Sequence, residues 1–170
     1  PVGESAARRA RRAGPSQREE RIKEEPARRL VDLGDTLVED EDYDQAEATY
    51  RKAIELDPKS ASAHASLGRL LNHFREDYDQ ADVMYRMAIE LDPEDAYVHW
   101  NFSEVLEKRG DIDGAIRETR EYVRKGDPDE DGDERITEIV AAARDEAGDP
   151  ESFQIMVDVQ YTWDDAERAL

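Results

Sequence analysis

The chain has 170 residues, of which 38% are hydrophobic and 40% charged, and its formal net charge is −20. So thin an apolar fraction suits units that each bury one face, and so acidic a body repels nucleic acid and anionic membranes. No cysteine is present, which excludes disulfides, thiolate metal sites and cysteine nucleophiles, and no apolar run approaches the roughly 18 residues of a membrane helix.

Residues 1–26, PVGESAARRARRAGPSQREERIKEEP, run against this balance with a net charge of +2. They hold no apolar signal-peptide core and are expected to form a basic, partly disordered arm. The Arg run at 8–12 has neither interleaved aromatics nor a fold of its own, so it does not read as an RNA site.

From Ala27 the chain repeats itself. Residues 42–58 read DYDQAEATYRKAIELDP and residues 77–93 read DYDQADVMYRMAIELDP, 35 positions apart; a weaker copy, DIDGAIRETREYVRKGDP, occupies 111–128. The preceding halves repeat too: ARRLVDLGDTLVED from Ala27, ASAHASLGRLLNHFRED from Ala61 and AYVHWNFSEVLEKRG from Ala96. Apolar residues in each half recur at spacings of 3 and 4, the mark of an amphipathic helix. The predicted units are therefore helix pairs over 27–60, 61–95 and 96–128. Pro58 and Pro93 disfavour helix in the residue before them, so the second helices should stop at Asp57 and Asp92. The second unit carries one extra residue between Gly68 and Tyr78, which predicts a longer first helix or a looser turn there, not a break.

The pattern resembles the tetratricopeptide repeat, a 34-residue helix–turn–helix unit. Leu33, Gly34, Tyr43, Ala46, Tyr50, Ala53 and Pro58 carry it in the first unit, and Leu67, Gly68, Tyr78, Ala81, Tyr85, Ala88 and Pro93 in the second. The third keeps Leu106, Ala115 and Pro128 but has Phe102–Ser103 in place of Leu–Gly, Thr119 in place of an aromatic and Tyr122 in place of Ala. The physical reading agrees: the glycines let paired helices approach, the alanines are small where helix backs helix, and Tyr50 and Tyr85 fill the space between units.

The resemblance implies an all-α, right-handed superhelix of three repeats whose first helices line a concave, partner-binding groove. The implied groove residues are Arg28, Val31, Asp35 and Val38, then Ser62, Ala65, Arg69, Asn72 and His73, then Tyr97, Trp100, Glu104 and Lys108. Arg69, Asn72, His73, Tyr97, Trp100 and Glu104 are the strongest candidates; Trp100 is either an interface anchor or a packing residue against the next helix. Repeats that clamp the acidic C-termini of chaperones carry a Lys and an Asn in the first unit, an Asn in the second, and a Lys and an Arg in the third, at positions held here by Val31, Asp35, Ser66, Tyr97 and Asn101; none of these is basic, which argues against that partner. The expected partner is a basic or neutral protein or peptide segment, with neither nucleic acid nor membrane insertion.

Catalytic constellations are not seen. His64 and His99 occupy equivalent positions in two units and read as packing; no histidine pair has zinc spacing, and there is no phosphate loop, nucleotide fingerprint or nucleophile elbow. The expected role is a non-catalytic scaffold, adaptor or assembly subunit, in the cytoplasm or in an organellar lumen or stroma, without a cofactor.

One motif points elsewhere. DPDEDGDERITE at 127–138 matches the D-x-[DN]-x-[DN]-G-x₅-E calcium loop, with candidate ligands Asp127, Asp129, Asp131, Asp133 through its backbone, and Glu138. It resembles an EF-hand loop, and the alternative it raises is a calcium-responsive adaptor. Against it stand Glu134, where that family prefers Ile, and the absence of a second hand. The bland alternative is a solvated loop whose acids favour the start of the next helix. That loop and a polar-faced capping helix fill 129–148.

In 149–170, Phe153, Ile155, Val157, Val159, Tyr161 and Trp163 alternate as in a strand, whereas Met156, Val159, Trp163, Ala166 and Leu170 make a helical stripe. The segment is expected to be a C-terminal arm, extended or helical, with strand or extended chain favoured over 153–163, that acts as an interface.

Overall fold

The computed structural model describes residues 17–126, 135–139 and 141, and the side chains of these from Glu25 on. The 127–134 stretch of the acidic loop and the whole 149–170 arm lie outside the described residues. Among the described residues six α-helices follow one another: α1 (Gln17–Glu39), α2 (Tyr43–Leu56), α3 (Ala61–Leu70), α4 (Tyr78–Leu91), α5 (Ala96–Lys108) and α6 (Ile112–Lys125), with residues 135–139 helical again. No strand occurs among the described residues, and no helix of theirs is long and apolar enough to cross a membrane. The chain divides into two compact units, up to Glu76 and from Asp77.

In the first unit α1 and α2 pair, and α3 packs on both. α1 spans Gln17–Glu39 with Pro26 inside it, so its first turns lie in the stretch expected as a partly disordered arm. The α1–α2 turn is built by a hydrogen-bonding pattern that ends α1 at a left-handed residue. Glu41, at φ 60, donates its N–H to the Val38 carbonyl, and the Asp42 N–H reaches back to Leu37. Asp42 then caps α2, accepting the Gln45 N–H at 3.2 Å while the Gln45 amide returns a bond to its carboxylate. α2 stops at Leu56, with Asp57 extended before Pro58 as the proline requires. Its buried face is Ala46, Tyr50 and Ala53. A Cβ on Gly34 would stand 2.7 Å from Tyr50 Cδ1, so glycine is what lets α1 close on the tyrosine ring.

The extra residue of the second repeat is absorbed inside its first helix. Leu71–Arg75 form a π-helical turn directly after α3, and a wider i→i+5 turn accommodates one more residue without interrupting the helix. The turn ends at left-handed Glu76, φ 52, whose N–H bonds the Leu71 carbonyl. Phe74, carried outward by the turn, stacks on Tyr43 with ring centroids 4.4 Å apart.

In the second unit α4 packs on α5, and α5 pairs with α6. Asp77 caps α4 as Asp42 caps α2, with Gln80 donating both backbone and side-chain N–H groups to it. Tyr85, Phe102, Val105 and Leu106 are buried, and Tyr85 meets Phe102 at 6.1 Å. At roughly 25 cal/mol per Å² and 150–250 Å² per aromatic side chain, each such ring contributes about 4–6 kcal/mol gross. The α5–α6 turn repeats the α1–α2 geometry with Gly110, φ 78, in place of Glu41. Thr119, where an aromatic was expected, is fully buried and bonds the Ala115 carbonyl. Ile136 and Ile139 are buried, so the turn at 135–139 is packed.

One tie recurs at equivalent positions of the two units. Arg75, at the end of the π turn, pairs with Asp44 and Glu47 of α2; Arg109, at the end of α5, pairs with Asp79 and Asp82 of α4. Each arginine thus fastens the end of one repeat's first helix to the second helix of the repeat before it.

Candidate partner-binding faces

Each unit presents its own first-helix face. In the first unit the face is largely engaged internally. The Tyr50 hydroxyl donates to Asp35 Oδ1 at 2.7 Å, and Arg69 Nη2 reaches the same oxygen at 2.8 Å. Burial first, and then the hydrogen bond to the Asp35 carboxylate, push the Tyr50 phenol far above its usual range. Arg69 is exposed but committed to this ion pair; Asn72 is buried, His73 is exposed beside Phe74, and Val31 is buried rather than open to a ligand.

In the second unit the face is aromatic and acidic. α5 places Tyr97, Trp100 and Glu104 on one stripe at intervals of three and four. Tyr97 is 72% exposed, the most of any large hydrophobic residue described. Trp100 is half-buried, with its ring 4.9 Å from Tyr122 of α6 and the Arg135 guanidinium 5.7 Å above it. Arg135 Nη2 also meets Glu107 Oε2 at 2.6 Å. Trp100 therefore packs on the following helix while one part of it stays open. Tyr122 completes the cluster, 6.4 Å from Tyr97. The sequence showed Tyr122 only as a departure from the small residue of the repeat; that an aromatic arrives opposite Trp100 in the same unit was the signal for the pair. Arg135 could not be read in advance, because its placement depends on a turn beyond the repeats.

Lys125, at the end of α6, bonds the Pro93 carbonyl with its ammonium and lies 3.6 Å from both Glu94 and Glu121. Arg124 lies against Glu121, and this hydrogen bond above all holds the Glu121 carboxyl below its usual range. His64 and His99 are buried, as their equivalent positions implied; His64 Nδ1 meets the Ser60 carbonyl at 2.9 Å and His99 Nδ1 meets Glu118 at 2.7 Å.

Of the candidate calcium ligands, Asp127, Asp129, Asp131 and Asp133 lie outside the described residues. Glu138 is exposed, one helical turn from Arg135, whose Nη1 is 3.5 Å from its carboxylate. Among the described residues no group of three or more His, Asp or Glu side chains is placed to hold a metal ion.

The repeat architecture is matched by family models. A "TPR repeat" model matches residues 34–71 and a "Tetratricopeptide repeat" model residues 74–130, together more than half of the chain. The chain belongs to the tetratricopeptide repeat family. Solved structures share the tetratricopeptide fold. The Arabidopsis OM64 TPR domain superposes with a TM-score of 0.64 at 14% identity, covering 69% of this chain and 96% of that one. The first TPR of Spaghetti (RPAP3), bound to the HSP90 peptide SRMEEVD, gives 0.66 at 14% identity, covering 70% and 94%. An O-GlcNAc transferase of Thermobaculum terrenum gives 0.58 at 22% identity; the match covers 63% of this tetratricopeptide chain but only 20% of that enzyme. A comparison with curated proteins finds no match.

Proposed function

We propose that this tetratricopeptide protein is a non-catalytic interaction scaffold, an adaptor or assembly subunit that holds a basic or neutral partner segment against its first-helix faces. The observation that carries this reading is the Tyr97–Trp100–Tyr122 cluster, with Tyr97 open to solvent and Glu104 on the same stripe of α5. Amphipathic aromatic rings with few rotatable bonds are what interface anchors are made of, and carboxylates beside them favour a cationic partner. A structural neighbour holds an acidic peptide, SRMEEVD. The positions that the family uses to clamp such a C-terminus carry Val31, Asp35, Ser66, Tyr97 and Asn101 here, so the partner chemistry differs in sign.

Selection from a displayed random-peptide library, followed by titration of the enriched peptides, tests the reading. Enriched peptides should be rich in Lys and Arg, and a folded Tyr97→Ala/Glu104→Ala variant should bind them at least tenfold more weakly, a loss of about 1.4 kcal/mol. Full affinity in that variant, or an acidic consensus, would overturn it.

A further inference from the structure

The second unit already carries one arginine seated on its aromatic face. The Arg135 guanidinium lies 5.7 Å over the Trp100 ring and 2.6 Å from Glu107. That is a complete recognition geometry for a guanidinium: a π face to lie on and a carboxylate to pair with. The seat is not fully satisfying to its occupant. Arg135 Nε is buried with no hydrogen-bond partner among the described residues, and the second ion pair, to Glu138, is long at 3.5 Å. A buried N–H without a partner keeps its desolvation cost, which works against what the stack and ion pair contribute. Arg135 is delivered by a turn that Ile136 and Ile139 hold in place, so the side chain can swing away without unpacking it.

We propose that Arg135 is an internal stand-in for the partner: it occupies the Trp100–Glu107 seat that an arginine of an incoming basic segment takes, and so competes with that segment. The inference rests on the groove reading above and adds to it the side chain recognised and a built-in competitor. A peptide whose arginine can pair its Nε–H as well binds better than Arg135 does; one bearing lysine, a point charge without the planar fork, displaces Arg135 poorly.

The test uses the full chain in a Trp163→Phe background, so that Trp100 is the fluorophore read. The probes are a short glycine–serine peptide with two arginines and its lysine and citrulline counterparts. Arg135→Gln should bind the arginine peptide roughly fivefold or more tightly than the parent, the lower end of ordinary site couplings. Trp100→Leu, which lacks the fluorophore and is followed by titration calorimetry instead, should abolish binding in both backgrounds, and the citrulline peptide should not bind. In the parent, the Arg135 Nε–H resonance should shift and begin to exchange with solvent on adding the arginine peptide; this readout remains if Arg135→Gln disturbs the turn. Unchanged or weaker binding by a folded Arg135→Gln, or an unmoved Arg135 resonance in a saturated complex, makes Arg135 a structural staple and overturns the inference while leaving the groove reading intact. No binding of the arginine peptide to either form also overturns it. Loss of the groove reading is seen separately, as indifference of library-selected peptides to Tyr97→Ala/Glu104→Ala.

Discussion

The Tyr50 hydroxyl donates to Asp35 at 2.7 Å, and the same carboxylate takes Arg69 at 2.8 Å, so a residue of the first repeat's second helix is tied to the first helices of two successive repeats. Tyr50 is fully buried and its ring lies where a Gly34 side chain would be. Because burial and a neighbouring carboxylate both disfavour tyrosinate, the folded pKa is raised above the unfolded value of about 10. A raised pKa contributes stability that is whole below the unfolded value and is lost as pH rises through the folded one. Urea unfolding between pH 7 and 11 should therefore show stability falling from about pH 10. Tyr50→Phe should cost about 1 kcal/mol at pH 7 for the lost hydrogen bond and should flatten the alkaline decline. An equally steep decline in Tyr50→Phe would remove Tyr50 as its source.

Gly34→Ala probes the same contact from the other side. In an open helix position this change is stabilising by up to about 1 kcal/mol. Here the new methyl meets the Tyr50 ring at 2.7 Å, and overpacking of a closed site costs about 1–3 kcal/mol. The variant should melt lower than wild type, and Gly34→Ala/Tyr50→Leu, with the ring removed, should show strong non-additivity in a double-mutant cycle.

The two repeated arginine ties should differ in strength. The outer partners are alike, Asp44 89% and Asp79 88% exposed, but the inner ones differ: Asp82 is 10% exposed and 2.6 Å from Arg109, whereas Glu47 is 25% exposed and 3.3 Å from Arg75. An exposed pair is worth under about 1 kcal/mol, whereas removing the cation from a buried carboxylate leaves a desolvated charge. Arg109→Met should cost more than Arg75→Met in urea midpoints at 0.1 M salt, and raising the salt should shrink the Arg75 effect by the larger fraction. Equal costs would show that the burial of Asp82 is not what matters.

What could be read in advance followed from periodicity. Seventeen-residue stretches that nearly repeat place Ala46, Tyr50 and Ala53 on one helical face and Ala81, Tyr85 and Ala88 on another, and those faces are buried as the pattern requires. Pro58 and Pro93 follow residues that leave the helical conformation, Asp57 and Asp92, as expected before proline. Contacts between residues far apart in sequence were not legible. Arg69 belongs to the groove stripe by position, but its pairing with Asp35 depends on how two repeats stack; Arg135 reaches Trp100 only because a turn after the repeats is held by Ile136 and Ile139. The extra residue between Gly68 and Tyr78 was visible, and its resolution as a π turn was a choice between alternatives of similar cost.

Glu41 and Glu76 adopt left-handed conformations at φ 60 and 52, where the equivalent position of the third repeat is Gly110. For a residue with a Cβ that region costs about 1–2 kcal/mol, and glycine relieves it at some expense in unfolded-state entropy. Glu41→Gly should raise stability by about 0.5–1 kcal/mol, read as a higher urea midpoint at unchanged slope. Gly110→Glu should lower it by a comparable amount. A loss of stability in Glu41→Gly would mean that the Glu41 side chain makes a contribution larger than the backbone strain.

The acidic loop supplies the last test. Glu138 would be the bidentate closing ligand of a calcium loop over 127–138, and a calcium ion needs both of its oxygens. In the structure that carboxylate faces the Arg135 guanidinium at 3.5 Å. While Arg135 rests on Trp100 and Glu107, a divalent cation at Glu138 would sit beside its positive charge. Titration calorimetry to millimolar calcium should therefore show no saturable heat in the wild-type chain. In Arg135→Gln the repulsion is gone and Glu138 is released, so any latent affinity of the loop should appear there first, as heat that Glu138→Gln removes. Saturable heat in the wild type, abolished by Glu138→Gln, would show that the loop binds calcium despite Arg135 and would restore the calcium-responsive reading.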